Sequence, residues 1–154
     1  MPLDYGLHKF LHITGVVLFF GNLVVGPVWL MYAWFQEDRS HYGWAAKTLS
    51  DADMFLTVPG MQLTLWNGVF LAAGMGGIRQ HPWLVESMVL LVLTSVLSVC
   101  VVLPWQERCV EAAQGEEPRA MVRSLVWWSV TGSAVMLPLT VVAWLMVTKQ
   151  ALFL

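Results

Sequence analysis

Three of the four histidines and one glutamate are the side chains whose chemistry most needs an explanation in this sequence. His8 and His12 are one helical turn apart, so both rings project from one face of a helix, with Cβ atoms roughly 5–6 Å apart. His81 and Glu86 stand near the start of a later apolar run. Burying an ionisable group in an apolar helix is costly, so these four residues are candidates for a functional site.

Haem b is the cofactor that we expect at these histidines. A haem iron takes its axial imidazoles from opposite faces of the macrocycle, so His8 and His12, on one face of one helix, cannot both bind one iron. His12 is the expected axial ligand, with His81 or a methionine on the opposite side. His8 would then lie near a propionate.

Copper or zinc is the alternative to haem. Such an ion is less restrictive in geometry and could be bound by His8, His12 and either His81 or Glu86. A proton relay is a third possibility. A purely structural role also stays open, in which His8 and His81 are interfacial residues and Glu86 neutralises a neighbouring cation. The sequence identifies no catalytic residue and leaves open whether the protein is an enzyme.

The composition indicates the kind of protein that must position these residues. Of 154 residues, 58% are hydrophobic and 12% are charged, whereas soluble domains average about 45–50% and about 25%. The net charge of −2 provides no basic surface, so a nucleic-acid partner is not expected. With a mean hydropathy of +0.66, the chain is expected to be a single-domain integral membrane protein, in contact with the lipid bilayer.

Four apolar runs are long enough to cross a membrane as helices, which takes about 20 residues each. They cover residues 10–36, 54–78, 86–106 and 124–148, and none shows the alternation of a β-barrel strand. Short connections between successive spans favour antiparallel neighbours. We therefore expect an all-α, up-down-up-down four-helix bundle formed by residues 1–154.

This topology predicts where the site lies. Spans one and three enter the membrane from the same side, so His8, His12, His81 and Glu86 should gather at one end of the bundle. The two long connections, 37–53 and 107–123, hold five of the eight Lys and Arg residues. The positive-inside rule then places both long connections in the cytoplasm and both termini outside.

Packing of the bundle should rely on small residues, because lipid is as apolar as leucine. The second span carries small residues at a spacing of four on one face: Gly60, Thr64, Gly68, Ala72 and Gly76. The polar residues inside spans, Asn22, Gln62 and Asn67, are expected to form interhelical hydrogen bonds. Asp51 and Asp53 are expected to cap the N-terminus of the second span.

Two segments, Leu11–Trp29 and Asp51–Gly60, resemble an uncharacterised family of small four-span bacterial integral membrane proteins. The resemblance implies a location in the bacterial inner membrane. Such proteins often carry a basic residue directly after the tryptophan that Trp29 matches, whereas this sequence has Leu30 at that position. The matching positions are His12, Gly21, Asn22, Trp29, Asp53, Phe55, Thr57, Pro59 and Gly60. More remotely, the first span is similar to membrane protoporphyrinogen oxidases and copper-resistance membrane proteins, whose histidines are associated with haem or copper.

These observations predict a small membrane redox component that binds haem b or, as the alternative, copper and passes electrons. Its expected partners are other membrane subunits or a second copy of the chain. The competing hypotheses are a non-catalytic accessory subunit without a cofactor, packed in a larger membrane complex through its small-residue faces, and a transporter or proton pathway.

Overall fold

Four long helices make up most of the protein in a computed structural model, which describes residues 3–36, 39–115 and 117–153. No strand occurs in this described part, which confirms the all-α prediction. Two π-helical turns, Asp53–Thr57 and Ser98–Val102, and one 3-10 turn, Ile78–Gln80, separate the α-helices. The α-helices are α1 (Leu3–Trp34), α2 (Arg39–Ala52), α3 (Val58–Gly74), α4 (Pro82–Leu97), α5 (Leu103–Gln114) and α6 (Pro118–Thr148).

Each π-helical turn stands directly before a proline in the first turn of the next helix. Pro59 follows the first π turn, and Pro104 follows the second. Because proline has no backbone N–H, the carbonyl four residues earlier loses its usual partner. The helix widens for one turn and continues. As a result, α2 and α3 form the second long helix, and α4 and α5 form the third.

The predicted connections 37–53 and 107–123 are largely helical, so the helices extend beyond the predicted spans. Most of the first is α2, and the second is mainly α5 and the start of α6. Each segment has charged residues on its outer face, so it does not read as an apolar run in the sequence. Its apolar residues nevertheless recur at helical spacing and are buried. The predicted capping role of Asp51 and Asp53 is wrong for the same reason, since both lie inside the second long helix.

Successive long helices run in opposite directions, as the side-chain bonds between them require. Along each pair, residue numbers rise on one helix and fall on the other. The bonded pairs are His8–Asn67 and Asn22–Asp53, then Ser95–Met61 and Gln106–Asp53, then Gln106–Trp128 and Glu86–Leu152. The first and third helices are therefore parallel, as the topology argument requires.

Three of the long helices in the described part are long and apolar enough to cross a membrane: Asp4–Trp34, Pro82–Gln114 and Pro118–Thr148. The second long helix is not among them. Its apolar segment, α3, has only 17 residues and includes Gln62 and Asn67. A fourth span over residues 54–78 stays a prediction.

The tightest helix contact is the crossing of α1 and α3 at Gly15 and Gly60. A Cβ atom on Gly15 would lie 2.5 Å from the Gly60 carbonyl oxygen, and one on Gly60 would lie 2.8 Å from the Gly15 carbonyl oxygen. Thr64 and Gly68 also face α1, so much of the predicted small-residue face packs inside the chain. Gly76 does not join it, because it lies in the turn after α3 with φ of +96°.

Three apolar clusters stack along the bundle. The middle cluster contains Phe19, Leu91, Val135 and Leu139, and the cluster at the histidine end contains Ala72, Trp83, Leu84 and Leu145. The third cluster, at the opposite end, joins α2 and α5 to the ends of α1 and α6. Tyr42 is buried in this third cluster. Burial raises the pKa of its phenol, so Tyr42 adds no charge there.

Replacing Gly15 by alanine should destabilise the bundle, because the new methyl group would overlap the backbone of α3. We expect a loss of about 1–3 kcal/mol in the free energy of unfolding, measured in detergent micelles. Gly21→Ala on the same helix is the control, since a Cβ atom there meets no described atom within 4 Å. Equal stabilities of the two variants would contradict the proposed tight crossing.

Candidate functional site

His8 is held against the second long helix by a hydrogen bond and a ring stack. Its Nδ1 atom lies 2.7 Å from Asn67 Oδ1, and its ring stacks on Phe70 with 4.5 Å between centroids. The Asn67 amide nitrogen donates to the Leu63 carbonyl at 2.8 Å, which fixes the amide oxygen towards the histidine. His8 Nδ1 is therefore the donor of the bond.

His12 makes the equivalent bond one turn further along α1. Its Nδ1 atom lies 2.8 Å from the backbone carbonyl oxygen of Thr64, which can only accept, so Nδ1 carries the proton. Gly68 gives the ring its place, because a Cβ atom on that residue would lie 3.2 Å from both Cε1 and Nδ1 of His12. The absence of a side chain at residue 68 thus allows the ring to approach α3.

The two imidazoles are therefore in the same tautomer and can take part in the same chemistry. With Nδ1 protonated, Nε2 of a neutral histidine carries a lone pair that can bind a metal ion or accept a proton. Neither Nε2 atom makes a hydrogen bond to any residue in the described ranges. An anchored Nδ1–H with an open Nε2 is the arrangement that metal-binding histidines commonly have.

His81 lies at the same end of the bundle but is tied to its own turn. Its Nε2 atom bonds the Met75 carbonyl oxygen at 3.0 Å, and its ring lies 6.1 Å from that of Trp83. Nε2, the nitrogen that most often binds haem iron, is therefore occupied by this hydrogen bond. In this geometry His81 does not offer Nε2 to a group on His12.

Glu86 anchors the residues that follow α6. It is only 5% exposed, and its two carboxylate oxygens accept the backbone N–H groups of Leu152 at 2.8 Å and Phe153 at 2.7 Å. Ala151, in the same segment, packs on the apolar cluster at this end. With both oxygens occupied by donors, Glu86 serves as an attachment point for the C-terminal segment.

The structure therefore places two of the four predicted site residues against the same helix and gives the other two separate partners. His8 and His12 face α3 together, whereas His81 and Glu86 contact the turn before α4 and the segment after α6. Among residues 3–36, 39–115 and 117–153, no group of three or more His, Cys, Asp or Glu side chains could hold a metal ion.

A second polar site, centred on Asp53, joins all four long helices. Asn22 donates to Asp53 Oδ1 and to Thr57 Oγ1, both at 2.9 Å, and the Thr57 hydroxyl donates to the same Oδ1 at 2.7 Å. Gln106 donates to Asp53 Oδ2 at 2.7 Å. Trp128 completes the network by donating to Gln106 Oε1 at 3.3 Å. We call these five residues the Asp53 network.

Sequence reasoning assigned Asn22 to an interhelical bond but missed the carboxylate that it binds. The signal that could have revealed it was the joint presence of Asn22, Asp53 and Thr57 among the positions of the family resemblance. Asp53 and Thr57 are the first and last residues of the π-helical turn. No signal marked Gln106, which stood at the predicted edge of a span.

The two polar sites are distinct. His8 and Asn22 are 14 residues apart on α1, which corresponds to about 21 Å along a helix. The backbone contact of Gly15 with Gly60 lies between them and leaves no room for a side chain. A continuous polar path along the α1–α3 interface is therefore not favoured.

Comparison with known proteins identifies one family. The model of a family described as predicted integral membrane protein, DUF2269, matches residues 6–150. No curated protein and no solved structure matches the chain.

Replacing Glu86 by glutamine should loosen the segment after α6, because an amide offers one acceptor oxygen to two backbone N–H groups. We expect faster hydrogen exchange at Leu152 and Phe153 and a stability loss of about 1–3 kcal/mol. Glu107→Gln, at an exposed position of the same long helix, is the matched control. Unchanged exchange at both amides would show that Glu86 does not anchor this segment.

Proposed function

The chain belongs to the DUF2269 family of predicted integral membrane proteins, and we propose that it is a small membrane redox component that binds copper through His8 and His12. The observation that carries the proposal is the shared geometry of the two imidazoles. Each donates Nδ1–H to α3, and each keeps the lone pair of Nε2. Two imidazoles one helical turn apart suit a single divalent copper ion, which accepts nitrogen ligands readily.

The residues of α3 prepare the pair for this role. Asn67 and the Thr64 carbonyl hold the two rings and fix their tautomers, and Gly68 lets the second ring approach. Held in this way, the ligands lose little conformational freedom on binding, and hydrogen bonds of this kind raise the basicity of the coordinating nitrogen. A bound copper ion would supply one-electron chemistry by cycling between Cu(II) and Cu(I).

Haem b is the second candidate, and one observation favours it. His12 donates Nδ1–H to a backbone carbonyl, which is a common arrangement for an axial histidine. These residues offer no second axial imidazole, because His8 lies on the same face of α1 as His12 and Nε2 of His81 is already hydrogen-bonded. We therefore rank copper above haem.

The proposal includes partners and an orientation. A single copper ion stores one electron, so the donor and acceptor of electrons would be other membrane subunits or a second copy of the chain. The face of α3 that packs on α1 is not free for such a partner, which weighs against an accessory subunit docked through it.

We propose a bacterial inner membrane location with the chain termini outside and the α2–α5 end of the bundle in the cytoplasm.

Protein purified from its native membrane should contain copper at one ion per chain by elemental analysis. His8→Ala and His12→Ala should each abolish stoichiometric copper, because one imidazole alone is a weak ligand. His81→Ala should retain the metal, since its ring is tied to another turn. A Soret band lost only in His12→Ala would favour haem, and protein with neither copper nor pigment would overturn the redox proposal.

Asn67→Leu tests the positioning of His8 without removing a ligand. Loss of the bond to Nδ1 should weaken copper affinity about 10–100-fold, the usual effect of removing a partner of a metal-binding histidine. Gln62→Leu, elsewhere on α3, is the control, because the Gln62 side chain accepts its hydrogen bond from the exposed Trp66. Copper titration of purified protein measures both affinities, and equal values would contradict the proposed role of Asn67.

A further inference from the structure

We propose that Gln62 is the centre of an interface through which two copies of this chain associate in the membrane. The surface that forms this interface, the α3 stripe, consists of Val58, Gln62, Trp66, Val69 and Ala73. The inference does not depend on the copper proposal, because His8 and His12 make their hydrogen bonds to other residues of α3.

The α3 stripe runs along the outer face of its helix. Its members follow one another at spacings of three or four residues, so they lie on one side of the helix over its whole length. All five side chains are exposed. The residues of α3 that meet α1, among them Gly60 and Thr64, lie on the opposite face. The stripe therefore points away from the rest of the bundle.

Gln62 lies at the level of the apolar middle cluster, because Met61 and Leu65 pack against that cluster. No Asp, Glu, Lys or Arg occurs from residue 54 to residue 78. The first and third long helices are parallel, and both are long and apolar enough to cross a membrane. For both to cross in the same direction, the second long helix has to carry the chain back. The Gln62 side chain therefore points outwards within the bilayer.

Only the oxygen of the Gln62 amide has a partner among the described residues. Gln62 Oε1 accepts the indole N–H of Trp66 at 3.1 Å, which fixes the orientation of the amide and leaves its two N–H groups without a described acceptor. Hydrocarbon contains no acceptor, so unpaired donors there are costly. By contrast, the exposed Thr140 hydroxyl donates to the Met136 carbonyl of its own helix at 2.9 Å. Gln62 needs an acceptor from a neighbouring molecule.

A second copy of the chain supplies that acceptor at the correct depth. Copies that insert in the same orientation carry Gln62 at the same level, and a two-fold axis along the membrane normal brings the two α3 stripes together in parallel. Each amide can then donate N–H to Oε1 of Gln62 in the other copy, because an amide oxygen accepts two hydrogen bonds and Trp66 uses one. The seven-residue spacing of Gln62 and Val69 suits a left-handed helix pair, in which a single polar residue sets the register.

Disulfide cross-linking in the native membrane tests the interface with Gln62 unchanged. In a chain that carries Cys100→Ser, Val69→Cys should form a disulfide-linked dimer when iodine oxidises the two thiols. Val89→Cys on α4 is the control, because it is exposed at a similar depth: Ser95 contacts Met61, and the two helices are antiparallel. Equal dimer formation at both positions, or a Val69→Cys product that contains a different protein, would overturn the proposal.

Gln62→Leu provides an independent result. Energy transfer between fluorescently tagged copies in liposomes should show association weakened about tenfold, the effect of losing two interhelical hydrogen bonds. Thr140→Val, the control, should associate like the unaltered protein, because that hydroxyl bonds its own helix. Copper affinity should stay the same in Gln62→Leu, which separates this proposal from the copper site. The proposal is overturned if the unaltered protein is monomeric in liposomes, or if Gln62→Leu associates as strongly as the unaltered protein.

Discussion

Close backbone contact between α1 and α3 determines the distance at which the other bonds between these helices form. Lipid offers no hydrophobic drive for helix association, so two glycines that let backbones meet have a large influence. Gly15 and Gly60 form that contact. On one side of it, the histidines of α1 reach acceptors on α3; on the other side, Asn22 reaches the π-helical turn. A side chain at either glycine would move the two helices apart and lengthen all of these bonds together.

The two polar sites divide the bundle into ends with different chemistry. At one end, two imidazoles donate Nδ1–H to α3 and leave Nε2 without a hydrogen bond to the described residues, which is the geometry on which the copper proposal rests. At the other end, the Asp53 carboxylate accepts hydrogen bonds from uncharged donors on α1, on its own helix and on α5. The apolar middle cluster and the glycine contact lie between them.

Apolar runs sufficed to predict the all-α class and most of the three helices that are long and apolar enough to cross a membrane, because charge is excluded from lipid. They could not predict α2 and α5, whose outer faces are charged while residues such as Tyr42 and Cys109 are fully buried. That His8 and His12 face the same neighbouring helix followed from their spacing alone. The partners of His81 and Glu86 depend on turns and on the segment after α6, and no local pattern encodes such contacts. The role of Asp53 was missed because a π-helical turn carries the helix past the expected N-terminus.

We propose that His8 and His12 bind one copper ion through Nε2 while Nδ1 stays bonded to α3. Electron spin echo measurements on the Cu(II)-loaded protein detect the remote ring nitrogen of each coordinated imidazole. We expect modulation from two such nitrogens, both lost when His8 and His12 are replaced together and both retained in His81→Ala. Modulation from a single imidazole, or signals that depend on His81, would contradict it.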